Sequence, residues 1–83
     1  MSFQNVYDVC AKYMNESGEV SQNDCLEKMI EVFQDSNDST IHFFYQKAVY
    51  LYNMWDDNEM DEHISMVDEL IEDVTGYLGE ILA

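Results

Sequence analysis

The chain contains no arginine and no proline, and only three lysines, three glycines and two cysteines. So few cations exclude direct binding to nucleic-acid phosphates, because displacing condensed counterions requires basic side chains. The same deficit excludes docking on an anionic membrane surface. The longest uninterrupted apolar run, Ala48 to Tyr52, is far shorter than the about 20 residues of a membrane span. The start, Met1-Ser2-Phe3-Gln4-Asn5, has neither the basic region nor the apolar stretch of a signal peptide. A cytoplasmic protein is expected. Cys10 and Cys25 fit neither a Cys-x-x-Cys nor a zinc-finger spacing, and both fall on apolar helix faces. They read as reduced core thiols, with a disulfide the less favoured reading.

With no proline, and with glycine confined to Gly18, Gly76 and Gly79, little interrupts the periodic stretches, and an all-α fold is expected. The 83 residues form a single domain, 1–83. A hydrophobic content of 47% with 13% aromatics is too high for a disordered tail, despite a net charge of −15. The periodicity predicts a small four-helix domain. Helix one runs from about Phe3 to Asn15, with Phe3, Val6, Tyr7, Cys10, Tyr13 and Met14 on one face, and ends at Ser17-Gly18. Ser21 and Asp24 approximate a capping box opening helix two, which reaches about Gln34 and buries Cys25, Leu26, Met29, Ile30 and Phe33. The turn-forming run Asp35 to Ser39 follows, with Ser39 or Thr40 capping helix three.

Helix three, Ile41 to Trp55, is apolar nearly all round, which marks a helix that is central or shared with another chain. Wrapping it within so small a domain is difficult. A homodimer is therefore expected, using part of Tyr45, Tyr50, Met54 and Trp55. Helix four begins near Asn58, and its Ile64, Val67, Ile71, Val74, Leu78 and Ile81 form a narrow heptad seam.

Charge is distributed unevenly. Residues 1–39 carry net −6, residues 40–55 carry +1, and residues 56–83 carry −10 with no base at all. Asp8 precedes Lys12, and Asp24 precedes Lys28, at the helical pairing distance of four residues. Helix four has no such relief. Glu62, Glu69, Asp73 and Glu80 form one outward file, and Asp61, Asp68 and Glu72 form a second. Asp68–Glu72 and Glu69–Asp73 are like-charge pairs that each destabilise by roughly 0.2–0.5 kcal/mol. Along about 37 Å of helix there is one carboxylate per roughly 5 Å, close to the spacing of phosphates on a DNA strand, about 3.4 Å. Such an array is attracted by the same long-range field of a basic groove that attracts DNA. The residues expected to stand in for phosphates are Asp57, Glu59, Asp61, Glu62, Asp68, Glu69, Glu72 and Asp73.

The opening Asn5-Val6-Tyr7-Asp8, the Trp55-Asp56-Asp57 that introduces an acidic terminal helix, and the lysine-poor helical make-up resemble the Ocr family of phage antirestriction proteins. That resemblance implies an acidic helical homodimer that imitates a DNA duplex and blocks type I restriction enzymes. This chain is shorter, and ends in Ile81-Leu82-Ala83 where that family has an acidic tail. The departure leaves anti-CRISPR and other anti-defence inhibitors open as readings. The expected function is occlusion of the nucleic-acid-binding site of a basic host defence protein.

Two alternatives stand beside it. One is a nuclease-inhibitor or immunity-type protein that plugs one basic enzyme with Tyr45, Tyr50, Tyr52 and Trp55 as anchors. The other is a structural subunit that uses the surplus apolar surface of helix three. No cofactor, metal site or enzymatic activity is expected. Asp35-x-Asn37-x-Ser39 begins like a calcium loop, but Thr40 stands where glycine is needed and Gln46 where a bidentate glutamate is needed. His42 and His63 occur singly, without the spacing of a zinc peptidase. An acyl-carrier reading fails because the helix after Asp35-Ser36 and Asp38-Ser39 contains no acid.

Overall fold

The starts of two helices in this chain are set by side chains that satisfy the otherwise unpaired amide groups of a first turn. The computed structural model describes residues 2–15, 19–54 and 60–82, apart from the side chain of Met60. It is all-α: α1 Phe3–Asn15, α2 Gln22–Phe33, α3 Ser39–Asn53 and α4 Met60–Leu82. Ser21 caps α2 reciprocally. The Asp24 amide donates to Ser21 Oγ, and the Ser21 amide donates to Asp24 Oδ2, both at 3.1 Å. The cap of α3 is Asp38 rather than Ser39 or Thr40. Its Oδ1 accepts from the amides of Thr40 at 2.8 Å and Ile41 at 3.0 Å, two bonds from one carboxylate oxygen, so α3 starts two residues earlier than its apolar face suggests. The expected glycine stop at Ser17-Gly18 lies outside the described residues, whereas helix three, expected to reach Trp55, ends at Asn53, with the Met54 amide closing its last turn on the Tyr50 carbonyl at 3.0 Å.

Each helix packs on its neighbour in sequence, and α4 closes the ring against α1. The pair α2 and α4 also touch across a short diagonal. The radius of gyration is 11.9 Å, matching the about 12 Å of a compact monomer of this length. One chain therefore closes its own core. That core takes Val6 and Cys10 from α1, Cys25, Leu26, Met29 and Phe33 from α2, and Ile41, Phe44, Ala48 and Leu51 from α3. From α4 come Val67, Leu70, Ile71, Val74 and Leu78, with His63 buried beside them.

The heptad seam expected on α4 is too narrow. Ile64 and Ile81 at its ends are 36% and 48% exposed, whereas Leu70 and His63 are fully buried. A seam one residue wide suits a helix with one partner. Because α4 lies against three helices, it needs a broader stripe.

Gly76 lies exposed on α4, and a Cβ built there meets nothing within 4 Å. Its cost is then purely one of helix propensity. Gly76→Ala is expected to stabilise the fold by about 0.5–1 kcal/mol in urea unfolding, without altering the helix content seen by circular dichroism.

Candidate functional site: the acidic face of helix α4

A protein with three cations and eighteen carboxylates cannot hold its helices together with salt bridges. The two ion pairs among the described residues are Lys12–Glu19 at 3.2 Å and Lys28–Glu31 at 3.6 Å, and neither Asp8 nor Asp24 is the partner expected from helical spacing. Asp8 accepts instead from the Gln4 amide at 2.9 Å, and Asp24 is held by its capping role. Both ion pairs are exposed enough to contribute little.

Tyrosines take the place of the missing cations. Tyr13 of α1 donates to Asp68 of α4 at 2.8 Å. Tyr52 of α3 donates to Glu27 of α2 at 2.9 Å. Tyr77 of α4 donates to Asp38 Oδ2, at the start of α3, also at 2.9 Å. Three interhelical contacts thus rest on a phenol donating to a charged acceptor, a stronger bond than one between neutral groups.

The pKa directions follow from this chemistry. Hydrogen bonding to Glu27 raises Tyr52, and hydrogen bonding to Asp38 raises Tyr77. Tyr13 is raised first by burial and then by its bond to Asp68. Asp38 is lowered, chiefly by the Ile41 amide and then by Tyr77. For the phenols, a raised folded-state value means that their contribution is complete below about pH 10 and lost as pH rises through the folded-state values. For Asp38 the contribution is present above about pH 4 and lost as pH falls through its lowered value. A phenolate absorbance titration should place Tyr13, Tyr52 and Tyr77 above about pH 10, and Tyr52→Phe should remove one of these late-ionising groups.

Against this background the carboxylates of α4 separate into two kinds. Asp68 does not stand in an open outward file. It is partly buried, and its Oδ1 accepts both from Tyr13 and from Gln22 Nε2 at 2.9 Å, while Gln22 Nε2 also reaches the Ile64 carbonyl at 3.0 Å. Asp68 therefore ties α1 and α2 to α4. Asp61, Glu62, Glu69, Glu72, Asp73 and Glu80 are exposed, and their side chains make no hydrogen bond or ion pair with any described residue. Asp57 and Glu59 lie outside the described residues, as does Trp55. The six open carboxylates occupy the outward side of α4 in two rows, separated along the helix by Ser65 and Gly76.

The residues expected at a dimer or partner interface are divided as well. Tyr50 is 53% exposed, whereas Tyr45 is half-buried and stacks on His42 with centroids 6.1 Å apart, and Met54 is half-buried. The most exposed aromatic of α3 is one the sequence pattern passes over: Phe43, 54% exposed, with Lys47 Nζ 5.5 Å above its ring. Phe43, Lys47 and Tyr50 follow each other at the helical spacing of four and three residues, so the outer flank of α3 is aromatic, carries a cation and has no acid.

Two open grooves lie among the described residues, of about 360 Å³ beside Tyr13 and Asp68 and about 340 Å³ beside Val9 and Asp24. Among the described residues no cluster of three or more histidines, cysteines or acids could hold a metal ion, and no helix is long and apolar enough to cross a membrane. Compared with protein families, with curated proteins and with solved structures, the chain matches none.

Proposed function

We propose that this protein is an acidic mimic of a nucleic-acid backbone that occludes the DNA-binding groove of a basic host defence protein, of restriction or CRISPR type. The observation that carries the reading is the separation of its acids. Asp38, Asp68, Glu27, Asp24, Glu19 and Glu31 are engaged in caps, interhelical bonds or ion pairs, and six on α4 are left open. Asp61 to Glu80 spans about 28 Å of helix, comparable to eight or so phosphate steps of one strand. Glu69 and Asp73 repel each other at i,i+4, so the arrangement lowers stability in exchange for a concentrated field. The mechanism is occlusion, with each open carboxylate taking the position of a phosphate.

The reading includes a homodimer. Two chains of charge −15 repel except where neither presents an acid, and the flank of α3 bearing Phe43, Lys47 and Tyr50 meets that condition. Sedimentation equilibrium at micromolar concentration should show a species of twice 9.8 kDa that Tyr50→Asp dissociates. A 9.8 kDa species alone would remove the dimer.

The same exposed Phe43 and Tyr50 favour one other reading, an inhibitor that anchors these rings in one basic enzyme. Salt separates the two. Occlusion by charge predicts a dissociation constant that rises steeply with salt, by a power of several. An aromatic plug predicts a slower on-rate with the off-rate nearly constant.

A further inference from the structure

The two open grooves differ in charge. The one beside Val9 and Asp24 is lined by a cation of its own, Lys28, which is bound to Glu31 at 3.6 Å. The groove of about 360 Å³ between α1 and α4 is lined by Tyr13, Met14, Asp68, Ile71 and Glu72, with two carboxylates and no cation. Lys12, next to Tyr13 in the chain, is bound to Glu19 at 3.2 Å. On α4, Asp68, Ile71 and Glu72 stand three and four residues apart and so share one helix face. Ile71 is fully buried and gives the groove an apolar floor, whereas Met14 is 47% exposed, with its sulfur 3.8 Å from Thr75 Oγ1 of α4. Asp68 Oδ1 is taken by Tyr13 and Gln22, but Asp68 Oδ2 and the Glu72 carboxylate bond to no described residue. An open groove of this kind does not enclose a small molecule. It can accept a single side chain delivered by a larger surface.

Given a basic protein partner, the reading on which this rests, we propose that the α1–α4 groove is the socket for one arginine side chain of that partner. Its methylene stem lies against Met14 and Ile71, and its guanidinium is held between Asp68 Oδ2 and Glu72. Charge complementarity selects a cation, since the lining offers two carboxylates and nothing to neutralise them. The apolar and aromatic lining selects which cation. A guanidinium is planar, weakly hydrated and forked, so it packs on Tyr13 and Met14 while donating to two acceptors at once. A lysine ammonium is a compact, strongly hydrated point charge and loses more on leaving water. The exposed carboxylates of α4 attract any cation through their common field, and the groove adds a preference for arginine at one place.

The test is a methyl and amide NMR titration of the full chain with two blocked peptides, acetyl-Gly-Arg-Gly-amide and acetyl-Gly-Lys-Gly-amide. The arginine peptide should shift the Met14 and Ile71 methyl signals and the Glu72 amide along a saturating curve, and the lysine peptide should bind several-fold more weakly. Glu72→Gln should weaken arginine binding by about twofold to fivefold, the size of one partly exposed ion pair. Met14→Ala should weaken it too and reduce the preference over lysine. Both side chains are exposed, so both variants keep the fold, which the same spectra report. Asp35→Asn removes one exposed charge outside the groove and should leave the affinity unchanged. Shifts spread along all the exposed acids of α4 without saturation at the groove would overturn the proposal. Equal binding of the two peptides, or a Glu72→Gln variant that binds arginine as the wild type does, would overturn it as well. Such a failure leaves the charge array of α4 standing, because the peptides report on the groove and competition by DNA reports on the array.

Discussion

Replacing Glu69, Glu72 and Asp73 together, as Glu69→Gln, Glu72→Gln and Asp73→Asn, should make the fold more stable and partner binding weaker. All three side chains are exposed and make no bond with any described residue, so the folded state loses nothing directly. Their removal relieves the Glu69–Asp73 and Asp68–Glu72 repulsions, each roughly 0.2–0.5 kcal/mol, and stability in urea should rise by a few tenths to about 1 kcal/mol. Three phosphate-like contacts disappear, so affinity should fall at least tenfold at physiological salt, with a shallower dependence on salt. Asp68 is the internal control. Asp68→Ala removes the acceptor shared by Tyr13 and Gln22 and should destabilise by about 1–3 kcal/mol. A solvated face with no function would give the stability gain of the triple variant and leave affinity unchanged.

The second large effect lies in the core. Phe33 is fully buried at the end of α2, with its ring edge-on to Phe3, the centroids 5.7 Å apart and the planes at 78°. Phe33→Ala should cost about 3–5 kcal/mol through lost transfer energy and the cavity left behind. A domain of this size has a total stability of about 4–12 kcal/mol, so the variant should be largely unfolded or melt more than about 15 °C lower. Phe33→Leu, which retains much of the volume, should stay folded. Thermal melts followed by circular dichroism distinguish these outcomes.

The helices were legible because their signals are local. The Ser21–Asp24 box, and the spacing of Val6 with Cys10 and of Cys25 with Leu26 and Met29, all appear within a turn or two of chain. The width of the α4 stripe was not legible, since it depends on how many helices surround α4, and periodicity does not report that number. Asp68 shows the same limit at the candidate site. In sequence it is indistinguishable from Glu69 or Glu72, and it becomes structural only through Tyr13, 55 residues away, and Gln22, 46 residues away. The tyrosine–carboxylate pairs could have been anticipated in kind. Six tyrosines among eighteen acids with almost no cations leave phenols as the obvious donors, but which acid each one meets is set by the packing. Phe43 was obscured by a helix whose every face looked apolar, so that the strip left outside the fold could not be singled out from pattern alone.

The most direct measurement is competition by DNA for whatever the acidic face binds. The protein is immobilised and exposed to a bacterial lysate, and the retained proteins are then eluted with a short DNA duplex or with polyglutamate of equal charge. The proposed function predicts that the retained set is dominated by a DNA-binding protein released by the duplex at concentrations where polyglutamate has little effect. It also predicts that the Glu69→Gln, Glu72→Gln, Asp73→Asn variant does not retain that protein. A principal ligand that the duplex leaves in place, and that the triple variant holds as tightly as the wild type, would contradict it.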